Sequence, residues 1–513
     1  MEQQELIARL SAGEGFDGRL PERIDTHISV IFLAGDHAYK LKRALRTSYL
    51  DCRSLESRRH FCEREVVVNR RTAPDIYLAA IPVRLTEAGR LVLSGAEGEI
   101  VDWLVYMRRF DQAALLDRIA SQGALSRPLT QQLGDVIAGF HQSAQRLEDP
   151  DGDQRIAFVL EENRMELERH AGGILDCTTM TLLDAKCRDS FRSITEVLWR
   201  RGQTGYVRQC HGDLHLGNIC VIDGLPVLFD AIEFNDAISQ VDVLFDLAFL
   251  LMDLLHRGDG GGTNRVFNRY LSRMRDYNEL NVLPLFIALR AGIRAHVSAM
   301  AASATADEGD AARRSRDCQD YARLALSSLE RKKPVLVVVS GLSGTGKSSV
   351  AEEIAPVLGP VPGAVILGSD MIRKRRLGVD LLTRLGPDAY TTGIDDAVYG
   401  EMGEIASNVL STGHAVVLDA TFRQPRHRDA VEAISHRIGV AFVGIRLEAD
   451  RQTLEERVRR RRDDVSDATP EVLHRQLEGP RDGTGWTRIN AARPLDSVSR
   501  DCREAIRFHL RDQ

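Results

Sequence analysis

The sequence lacks the closely spaced cysteine pairs and the long apolar runs that are typical of zinc-binding and membrane proteins. Its 8 cysteines include no Cys-x-x-Cys pair, so neither a zinc framework nor a thioredoxin-like redox pair is indicated. The most apolar stretch, Val243 to Leu255, contains Asp246 and Asp253 and is too short to span a bilayer. Since the first residues are polar and acidic, we expect no secretory signal, and a cytoplasmic protein with reduced thiols.

A surplus of basic charge is also lacking. The net charge is −6, so no global feature favours nucleic acid or a membrane surface as the partner. Hydrophobic residues make up 43% and charged residues 28% of the chain, which is typical of globular protein. At 513 residues the chain is too long for one core, so we expect two or three domains.

The order of predicted elements separates two architectures. Strand-like runs over residues 22–110, including a hairpin over 28–41, precede a helical region, which indicates an α+β, two-lobed domain. After residue 333, strands alternate with helices, which indicates an α/β domain with a parallel, doubly wound sheet. The strands of this second domain are predicted at 335–340, 364–368, 415–419 and 440–446. The predicted domains are 1–300 and 334–513, joined by a helical, charged linker at 301–333.

A P-loop follows the first strand of the second domain. Residues 341–348 match Gly-x-x-x-x-Gly-Lys-Ser, with a buried strand before them and a helix after them. Backbone N–H groups of such a loop surround nucleotide phosphates. We expect Lys347 to reach the β- and γ-phosphates and the Ser348 hydroxyl to bind Mg²⁺. The predicted ATP-binding residues are Gly341, Leu342, Ser343, Gly344, Thr345, Gly346, Lys347, Ser348 and Ser349.

Two acidic residues follow later strands of this domain. Asp370 stands after the second strand, where α/β sheets place ligands, and Arg373 lies one helical turn later on the same face. An aspartate can accept a hydroxyl proton and an arginine can hold phosphate, although Asp370 could instead cap its helix. Asp419 ends a buried strand in a Walker-B-like position, where it either binds an Mg²⁺-bound water or orients the P-loop.

An arginine-rich segment spans residues 451–462. Small P-loop kinases use such a segment as a lid that closes arginines over the triphosphate. Arg457 and Arg461 share a helix face and are the predicted lid arginines. The alternatives for the segment are a solvated helix face and a nucleic-acid-binding patch.

On the Asp370-x-x-Arg373 arrangement, residues 335–513 resemble the small-molecule and nucleotide P-loop kinases. This group includes zeta-type toxins, gluconate kinase-like enzymes, chloramphenicol phosphotransferase and the kinase part of polynucleotide kinases. The resemblance implies that Asp370 is the general base and Arg373 an active-site cation. It leaves the substrate open.

The first domain carries a second signature, His211-Gly212-Asp213-Leu214-His215-Leu216-Gly217-Asn218, followed by Phe229-Asp230. It resembles the catalytic loop of aminoglycoside phosphotransferases and choline kinase-like enzymes, and the resemblance covers residues 20–300. It implies a protein-kinase-like bilobal fold, with Asp213 accepting the substrate hydroxyl proton and with Asn218 and Asp230 binding Mg²⁺. His211 and His215 are expected to hydrogen-bond the loop.

The nucleotide-binding residues of this first domain follow weaker patterns. Lys40 and Lys42 share one face of a hairpin strand, and by resemblance Lys40 is the lysine that contacts the α- and β-phosphates. Glu65 is its predicted ion-pair partner, with Glu63 as the alternative. Protein kinases cover the phosphates with a glycine-rich hairpin, but residues 25–29 contain no glycine. This half could therefore be a nucleotide sensor or a degenerate kinase.

The order of the two halves resembles a family of bacterial proteins in which an aminoglycoside phosphotransferase precedes an AAA-family ATPase. Together the patterns predict a cytoplasmic, bifunctional phosphotransferase that uses ATP and Mg²⁺. It would phosphorylate hydroxyls of small polar metabolites, sugar derivatives or antibiotics. We expect neither a membrane nor nucleic acid as partner. The alternatives are a polynucleotide-end kinase and a P-loop ATPase switch with a non-catalytic, ligand-binding kinase-like domain.

Overall fold

The computed structural model describes residues 1–46, 50–148, 151–381, 383–460, 469–478 and 485–511. The chain folds as two units. The first contains Met1–Glu162 and Thr195–Arg257, and the second contains Asn163–Ile194 and Gly258–Gln513. The domain boundaries set from the sequence stay a prediction.

The first unit begins with an antiparallel sheet. Its strands and flanking helices are α1 (Gln3–Ser11), β1 (Glu22–Asp25), β2 (Ser29–Ala34), β3 (His37–Lys42), α2 (Leu55–Asn69), β4 (Tyr77–Leu85), β5 (Leu91–Val92) and β6 (Glu99–Arg108). The strand order is β1-β2-β3-β6-β4-β5. Alternating apolar residues of β2 and β3, such as Phe32 and Leu41, pack with α1 in one core. The Ser54 hydroxyl accepts the Ser57 N–H and so caps α2 at its start.

Helices and short hairpins follow along the chain, and among them the stretch Asn163–Ile194 belongs to the second unit. They are α3 (Leu116–Ser121), α4 (Arg127–Ser143), α5 (Gly152–His170), α6 (Cys177–Gln203), β7 (Val207–Gln209), β8 (Ile219–Ile222), β9 (Leu225–Leu228), α7 (Asp236–Ser239), β10 (Gln240–Asp242) and α8 (Val243–His256). The pairs β7–β10 and β8–β9 are both antiparallel, and they flank residues 211–218. The most apolar stretch of the sequence forms α8, and its residues Val243 to Leu254 are all buried. The two acids within α8 are therefore buried too.

The second unit contains α9 (Gly260–Met274), α10 (Leu283–Ala304) and α11 (Glu308–Ser328), and α11 occupies most of the segment predicted as a linker. Among the described residues, the stretch Leu280–Ala304 is long and apolar enough to cross a membrane by length and composition, but 72% of its apolar window is buried inside the protein. A core helix of a folded protein has these same properties.

The rest of the second unit is an α/β domain. Its elements are β11 (Val335–Gly341), α12 (Lys347–Ile354), β12 (Val365–Gly368), α13 (Ser369–Arg376), α14 (Thr392–Ser411), β13 (Val416–Asp419), α15 (Pro425–Ile438), β14 (Ala441–Glu448), α16 (Arg451–Arg460), α17 (Pro470–Leu477), β15 (Thr487–Asn490) and α18 (Leu495–Arg511). The strands are parallel in the order β12-β13-β11-β14-β15. β11 lies at the centre and is buried throughout. The predicted fold class is confirmed, whereas β15 was not predicted.

The edge strand β12 is covered by α9. The amide oxygen of Asn268 accepts the Ile366 N–H at 2.7 Å, and its amide nitrogen donates to the Ala364 carbonyl at 3.1 Å. Asn264 donates to the carbonyls of Pro362 at 3.0 Å and Ala364 at 3.1 Å. Since an edge strand has backbone groups that no neighbouring strand satisfies, these two amides replace part of a missing strand. The sheet that carries the P-loop is thus completed by residues before position 334.

Candidate active sites

The motif over residues 211–218 forms a loop between β7 and β8. The amide nitrogen of Asn218 donates to the side-chain Oδ2 and the backbone carbonyl of Asp213, both at 2.9 Å. The side chain of Asp213 is 38% exposed. The two residues predicted as base and metal ligand are therefore adjacent, with the carboxylate accessible from solvent.

Two buried acids of α8 hold this loop. The Asp246 carboxylate accepts the backbone N–H groups of His211 at 3.0 Å and Gly212 at 2.8 Å, and it also contacts His141. Asp253 accepts the Leu216 N–H at 3.0 Å. Buried carboxylates are costly unless they are hydrogen-bonded, so these bonds explain why an apolar helix carries two acids. In the sequence, the signal is two acids within an apolar run, which does not show what they bind.

The histidines of the motif have structural contacts. His211 Nε2 lies 2.9 Å from the Phe229 carbonyl oxygen, and burial, which disfavours the imidazolium, lowers the pKa of His211. His215 accepts the Gly217 N–H through Nδ1 at 3.0 Å. Both contacts agree with the expectation that these residues shape the loop.

Lys40 lies at the centre of the predicted nucleotide site. Its Nζ is 2.8 Å from Glu65 Oε1 and 2.6 Å from Asp230 Oδ1. Glu63, the alternative partner, is exposed and pairs instead with Arg59 at 3.0 Å. The strand lysine, the helix glutamate and the predicted metal ligand Asp230 are therefore assembled in one cluster.

The conformation of Asp230 is unusual. Its φ is +61°, a region that non-glycine residues seldom adopt, and its backbone N–H donates to the Tyr77 hydroxyl at 3.1 Å. Tyr77 is buried. Strained backbone of this kind is common at functional sites, where the surrounding structure holds it in place.

Sequence reasoning missed Glu233 and gave Lys42 no role of its own. Lys42 Nζ is 2.5 Å from Glu65 Oε2 and 2.5 Å from Glu233 Oε1. Burial would raise the pKa of Glu65, but the two lysines outweigh it and lower that pKa to about 2. Burial disfavours the charge of Lys42, yet Glu233 and Glu65 raise its pKa. In the sequence, the one indication of these lysine–glutamate contacts is that Lys40 and Lys42 lie on the same face of a strand.

The P-loop of the second unit connects β11 to α12 in the expected way. Gly341, Gly344 and Gly346 have φ values of +146°, +88° and +85°. A Cβ at Gly341 would lie 2.6 Å from the Leu447 carbonyl oxygen, and one at Gly344 would lie 2.8 Å from that of Leu454. At the first two positions, glycine is therefore required by space as well as by backbone conformation.

A glutamine contacts the phosphate-binding loop. Gln476 of α17 accepts the Ser343 N–H through Oε1 at 2.9 Å, and Lys347 Nζ donates to the Leu342 carbonyl at 3.2 Å. The Leu342 side chain packs against a buried cluster of Leu454 and Val458 of α16 and Leu473 of α17. One backbone N–H of the loop thus has a protein acceptor. No sequence pattern marked Gln476.

The predicted base and Walker-B-like acid lie at the same sheet edge. β12 and β13 are parallel, with Gly368 opposite Asp419, and β13 also pairs with the P-loop strand, with Asp419 opposite Val339. Asp370 lies in the first turn of α13, whose N-cap is Gly368, so Asp370 is not the N-cap. Asp370, Asp419 and the P-loop thus follow adjacent strands at their carboxyl ends, where α/β sheets bind ligands.

Arg373 is buried and contacts the residues just before α14 and in its first turn. Its guanidinium donates to Asp395 at 2.7 Å and to the Ala389 carbonyl at 2.8 Å, and it lies 4.5 Å from the ring centre of Tyr390. In this arrangement Arg373 fixes residues 389–395. Its role as an active-site cation stays a prediction.

The arginine-rich segment is described only up to Arg460. Arg457 donates to the Ala491 carbonyl at 2.8 Å, while Arg451 and Arg459 pair with Glu455 at 2.7 Å and 3.0 Å. Arg461, the other predicted lid residue, lies outside the described residues.

A polar cluster beyond Asp419 was also missed. The Tyr399 hydroxyl lies 3.3 Å from Thr421 Oγ1 and accepts the Phe422 N–H at 3.1 Å. His427 stacks on Tyr399 with ring centres 4.0 Å apart, and its Nε2 is 2.8 Å from Asp396 Oδ1. Phe422 has a φ of +47°. These contacts hold the loop after β13 in a strained conformation.

Comparison with known proteins identifies similar sequences for both halves. The family described as "Phosphotransferase enzyme family" matches residues 77–283, and the family described as "AAA domain" matches residues 336–480. The uncharacterized protein Rv2004c of Mycobacterium tuberculosis is 30% identical over 480 residues, which cover 92% of each chain.

Solved structures are similar to each half separately. A gluconokinase from Sinorhizobium meliloti is 24% identical, and the match covers 36% of this chain and 100% of that one with a TM-score of 0.25. A choline/ethanolamine kinase family protein from Mesorhizobium loti is 13% identical, and the match covers 64% of this chain and 99% of that one with a TM-score of 0.34.

Proposed function

We propose a function from the premise that this chain belongs to the same family as Rv2004c of Mycobacterium tuberculosis. Its halves belong to kinase and phosphotransferase families, so the chain is an ATP-dependent phosphotransferase. The proposal goes further and makes the chain bifunctional. Each half transfers the γ-phosphate of Mg·ATP to a hydroxyl of a small polar metabolite, a sugar derivative or an antibiotic.

The observation that carries the proposal is the assembled cluster in the first unit. The Lys40–Glu65 pair, Asp230, and the adjacent Asp213 and Asn218 supply the parts that a kinase site needs. The absence of glycine in residues 25–29 motivated the idea of a degenerate kinase. The cluster also brings the exposed carboxylate of Asp230 to the lysine, which stability of a buried pair does not require, so it favours a working enzyme.

The residues of the first unit suit Mg²⁺ and a hydroxyl acceptor. Asn218 uses its amide nitrogen on Asp213, so its oxygen is the atom that it can offer to a cation, and Asp230 offers a carboxylate. Oxygen donors of this type suit Mg²⁺. When bound, the ion neutralises charge on the phosphates. Asp213 accepts the proton of the substrate hydroxyl, and Lys40 holds the α- and β-phosphates.

In the second unit the P-loop N–H groups and Lys347 hold the phosphates, and the Ser348 hydroxyl and Asp419 are the oxygen donors for Mg²⁺. Asp370 serves as general base for the acceptor hydroxyl. The arrangement of Asp370, Asp419 and the P-loop after three adjacent strands supports this assignment.

The test is transfer of labelled γ-phosphate from ATP into a metabolite extract. Wild type is compared with Asp213→Ala and Lys347→Ala, and the matched controls are Asp75→Ala and Lys332→Ala, which change exposed residues. We expect each active-site change to remove a different labelled product, while both controls keep all products. If only Lys347→Ala matters, the first unit is a binding or regulatory module, and the bifunctional assignment is wrong.

A further inference from the structure

The backbone around Asp230 is held by two buried side chains. Residues 229–232 follow β9 in an irregular conformation. The backbone N–H of Asp230 donates to the Tyr77 hydroxyl at 3.1 Å, and that of Ala231 donates to Asn69 Oδ1 at 2.7 Å. The amide nitrogen of Asn69 donates to the Ala231 carbonyl at 3.3 Å. One side chain therefore holds both backbone groups of Ala231.

These two side chains come from the elements that also build the lysine–glutamate pair. Asn69 is the last residue of α2 and lies one helical turn after Glu65, so the two share a helix face. Its amide nitrogen also donates to the Glu65 carbonyl at 3.1 Å. Tyr77 begins β4, and burial raises the pKa of Tyr77, so a neutral hydroxyl accepts the Asp230 N–H. The helix that presents Glu65 to Lys40 thus also holds the segment that carries Asp230.

The same segment is fixed on its other side by the motif loop over residues 211–218. The Phe229 N–H donates to the Asn218 carbonyl at 3.0 Å, and the Ile232 N–H donates to the His211 carbonyl at 2.9 Å. The segment therefore lies between this loop and α2. Its backbone is bonded on both sides, while the side chain of Asp230 is 41% exposed and accessible to a ligand.

The conformation of Asp230 explains why such bonds are needed. A non-glycine residue seldom adopts its φ of +61°, and surrounding contacts must hold it there. Without them the backbone relaxes to an ordinary φ, and the carboxylate turns away from its present place, 2.6 Å from Lys40 Nζ. A ligand that requires the observed conformation then binds more weakly, in proportion to the fraction of molecules that keep it.

We propose that Asn69 and Tyr77 are positioning residues for the predicted metal ligand Asp230: they hold its backbone in the left-handed conformation in which its carboxylate is available to Mg²⁺ beside Lys40. The inference rests on the proposed function of the first unit, because it assumes that Mg·ATP binds there. It leaves the pair of Lys40 and Glu65 formed throughout. Through α2, Asn69 also ties the position of Asp230 to that of Glu65.

The test uses full-length protein that carries Lys347→Ala, so that nucleotide binding at the P-loop is suppressed. In this parent we compare Tyr77→Phe, which removes one oxygen and keeps the ring, with Asn69→Ala, which removes both contacts of the amide. A fluorescent ATP analogue is titrated once with Mg²⁺ and once with EDTA. Thermal unfolding reports whether each variant keeps the fold. If Asn69→Ala does not fold, Tyr77→Phe decides.

Each variant has a matched control in the same parent. Tyr106→Phe removes a tyrosine hydroxyl from the other face of the same sheet, because Tyr106 pairs with Tyr39 whereas Val105 pairs with Lys40. Asn264→Ala removes a buried amide that bonds backbone carbonyls of the second unit. The controls therefore show how much a lost hydroxyl or a lost buried amide changes binding when it does not act on Asp230.

The dependence on Mg²⁺ separates positioning from stability. With Mg²⁺, we expect the dissociation constant to rise about two- to tenfold in Tyr77→Phe and about tenfold or more in Asn69→Ala, which loses two hydrogen bonds. With EDTA, both variants should bind as the parent does, because Lys40 and Glu65 are unchanged. Both controls should have the parent's affinity under each condition.

Three outcomes would contradict these expectations. If both variants bind the Mg²⁺ complex as the parent does, Asn69 and Tyr77 only support the fold, and the inference is wrong. If they lose as much affinity with EDTA as with Mg²⁺, they disturb the whole site and not Asp230, and the inference is again wrong. If the parent itself binds no analogue with Mg²⁺, the proposed function of the first unit fails, and the positioning role fails with it.

Discussion

Replacement of Gln476 by alanine is expected to strengthen ATP binding at the P-loop. Gln476 accepts the Ser343 N–H at 2.9 Å, and Ser343 belongs to the loop whose N–H groups surround nucleotide phosphates. A phosphate that uses this donor must therefore displace the glutamine oxygen. The net contribution of such a hydrogen bond is about 0.5–1.5 kcal/mol. Since 1.4 kcal/mol corresponds to about a tenfold change in a binding constant, the dissociation constant should fall about two- to tenfold.

The side chains around Gln476 make the change a local one. Leu473 of the same helix belongs to the buried cluster against which Leu342 and Leu477 pack, and the substitution leaves this cluster intact. The helix should therefore stay on the loop when the amide is removed. The increase in affinity is then expected to arise from the freed Ser343 N–H and not from the loss of α17.

The assay is titration of Mg²⁺ and a fluorescent ATP analogue into full-length protein that carries Lys40→Met, so that binding to the first unit is suppressed. The matched control is Gln452→Ala, because Gln452 is a glutamine on α16 that bonds Glu456 and not the loop. Equal affinity of the two alanine variants would refute the idea that Gln476 competes with phosphate. Weaker binding by Gln476→Ala would mean that this residue contacts the bound nucleotide.

Two further predictions concern stability. Asn268→Ala leaves the Ile366 N–H of edge strand β12 without its side-chain acceptor, whereas the Ala364 carbonyl keeps its bond from Asn264. This loss should cost about 1–3 kcal/mol, measured by urea unfolding of full-length protein. Asn408→Ala, at an exposed bond to Asn278, should cost less. The lysines lower the pKa of Glu65 to about 2, so this residue stabilises the fold above its usual pKa near 4.5, and the contribution is lost as pH falls from there towards 2. In that pH range the unfolding free energy of Glu65→Gln should depend less steeply on pH than that of wild type, by an amount equivalent to up to one proton. An unchanged dependence would contradict the claim that Glu65 is held charged by the buried lysines.

Much of the second unit could be predicted because its signals are local. The P-loop lies directly between a continuous run of apolar residues and a helix, and the observed strands Val335–Gly341, Val365–Gly368, Val416–Asp419 and Ala441–Glu448 lie close to the predicted ranges. β15 was missed because Thr487–Asn490 is short and contains Ile489 as its single buried apolar residue. Periodicity carries little information in so short a strand.

The contacts that complete the sites could not be predicted from the sequence, because they join segments that are distant along the chain. Lys42 and Glu233 are 191 positions apart, and Ser343 and Gln476 are 133 apart. Sequence spacing shows which residues share a strand face or a helix face, but not which segments approach each other in the fold. The pair of Lys40 and Glu65 could be predicted because the resemblance to a known family implies how the strand and the helix that carry them are arranged. It gave no information on Glu233.

The central claim is that one chain holds two nucleotide sites, and the stoichiometry of binding tests it most directly. Equilibrium dialysis with Mg²⁺ and a non-hydrolysable ATP analogue should give two bound nucleotides per wild-type chain. It should give one for Lys347→Ala, one for Lys40→Met and none for the double variant. If wild type binds a single nucleotide and Lys347→Ala binds none, the claim is contradicted. The first unit then binds no nucleotide.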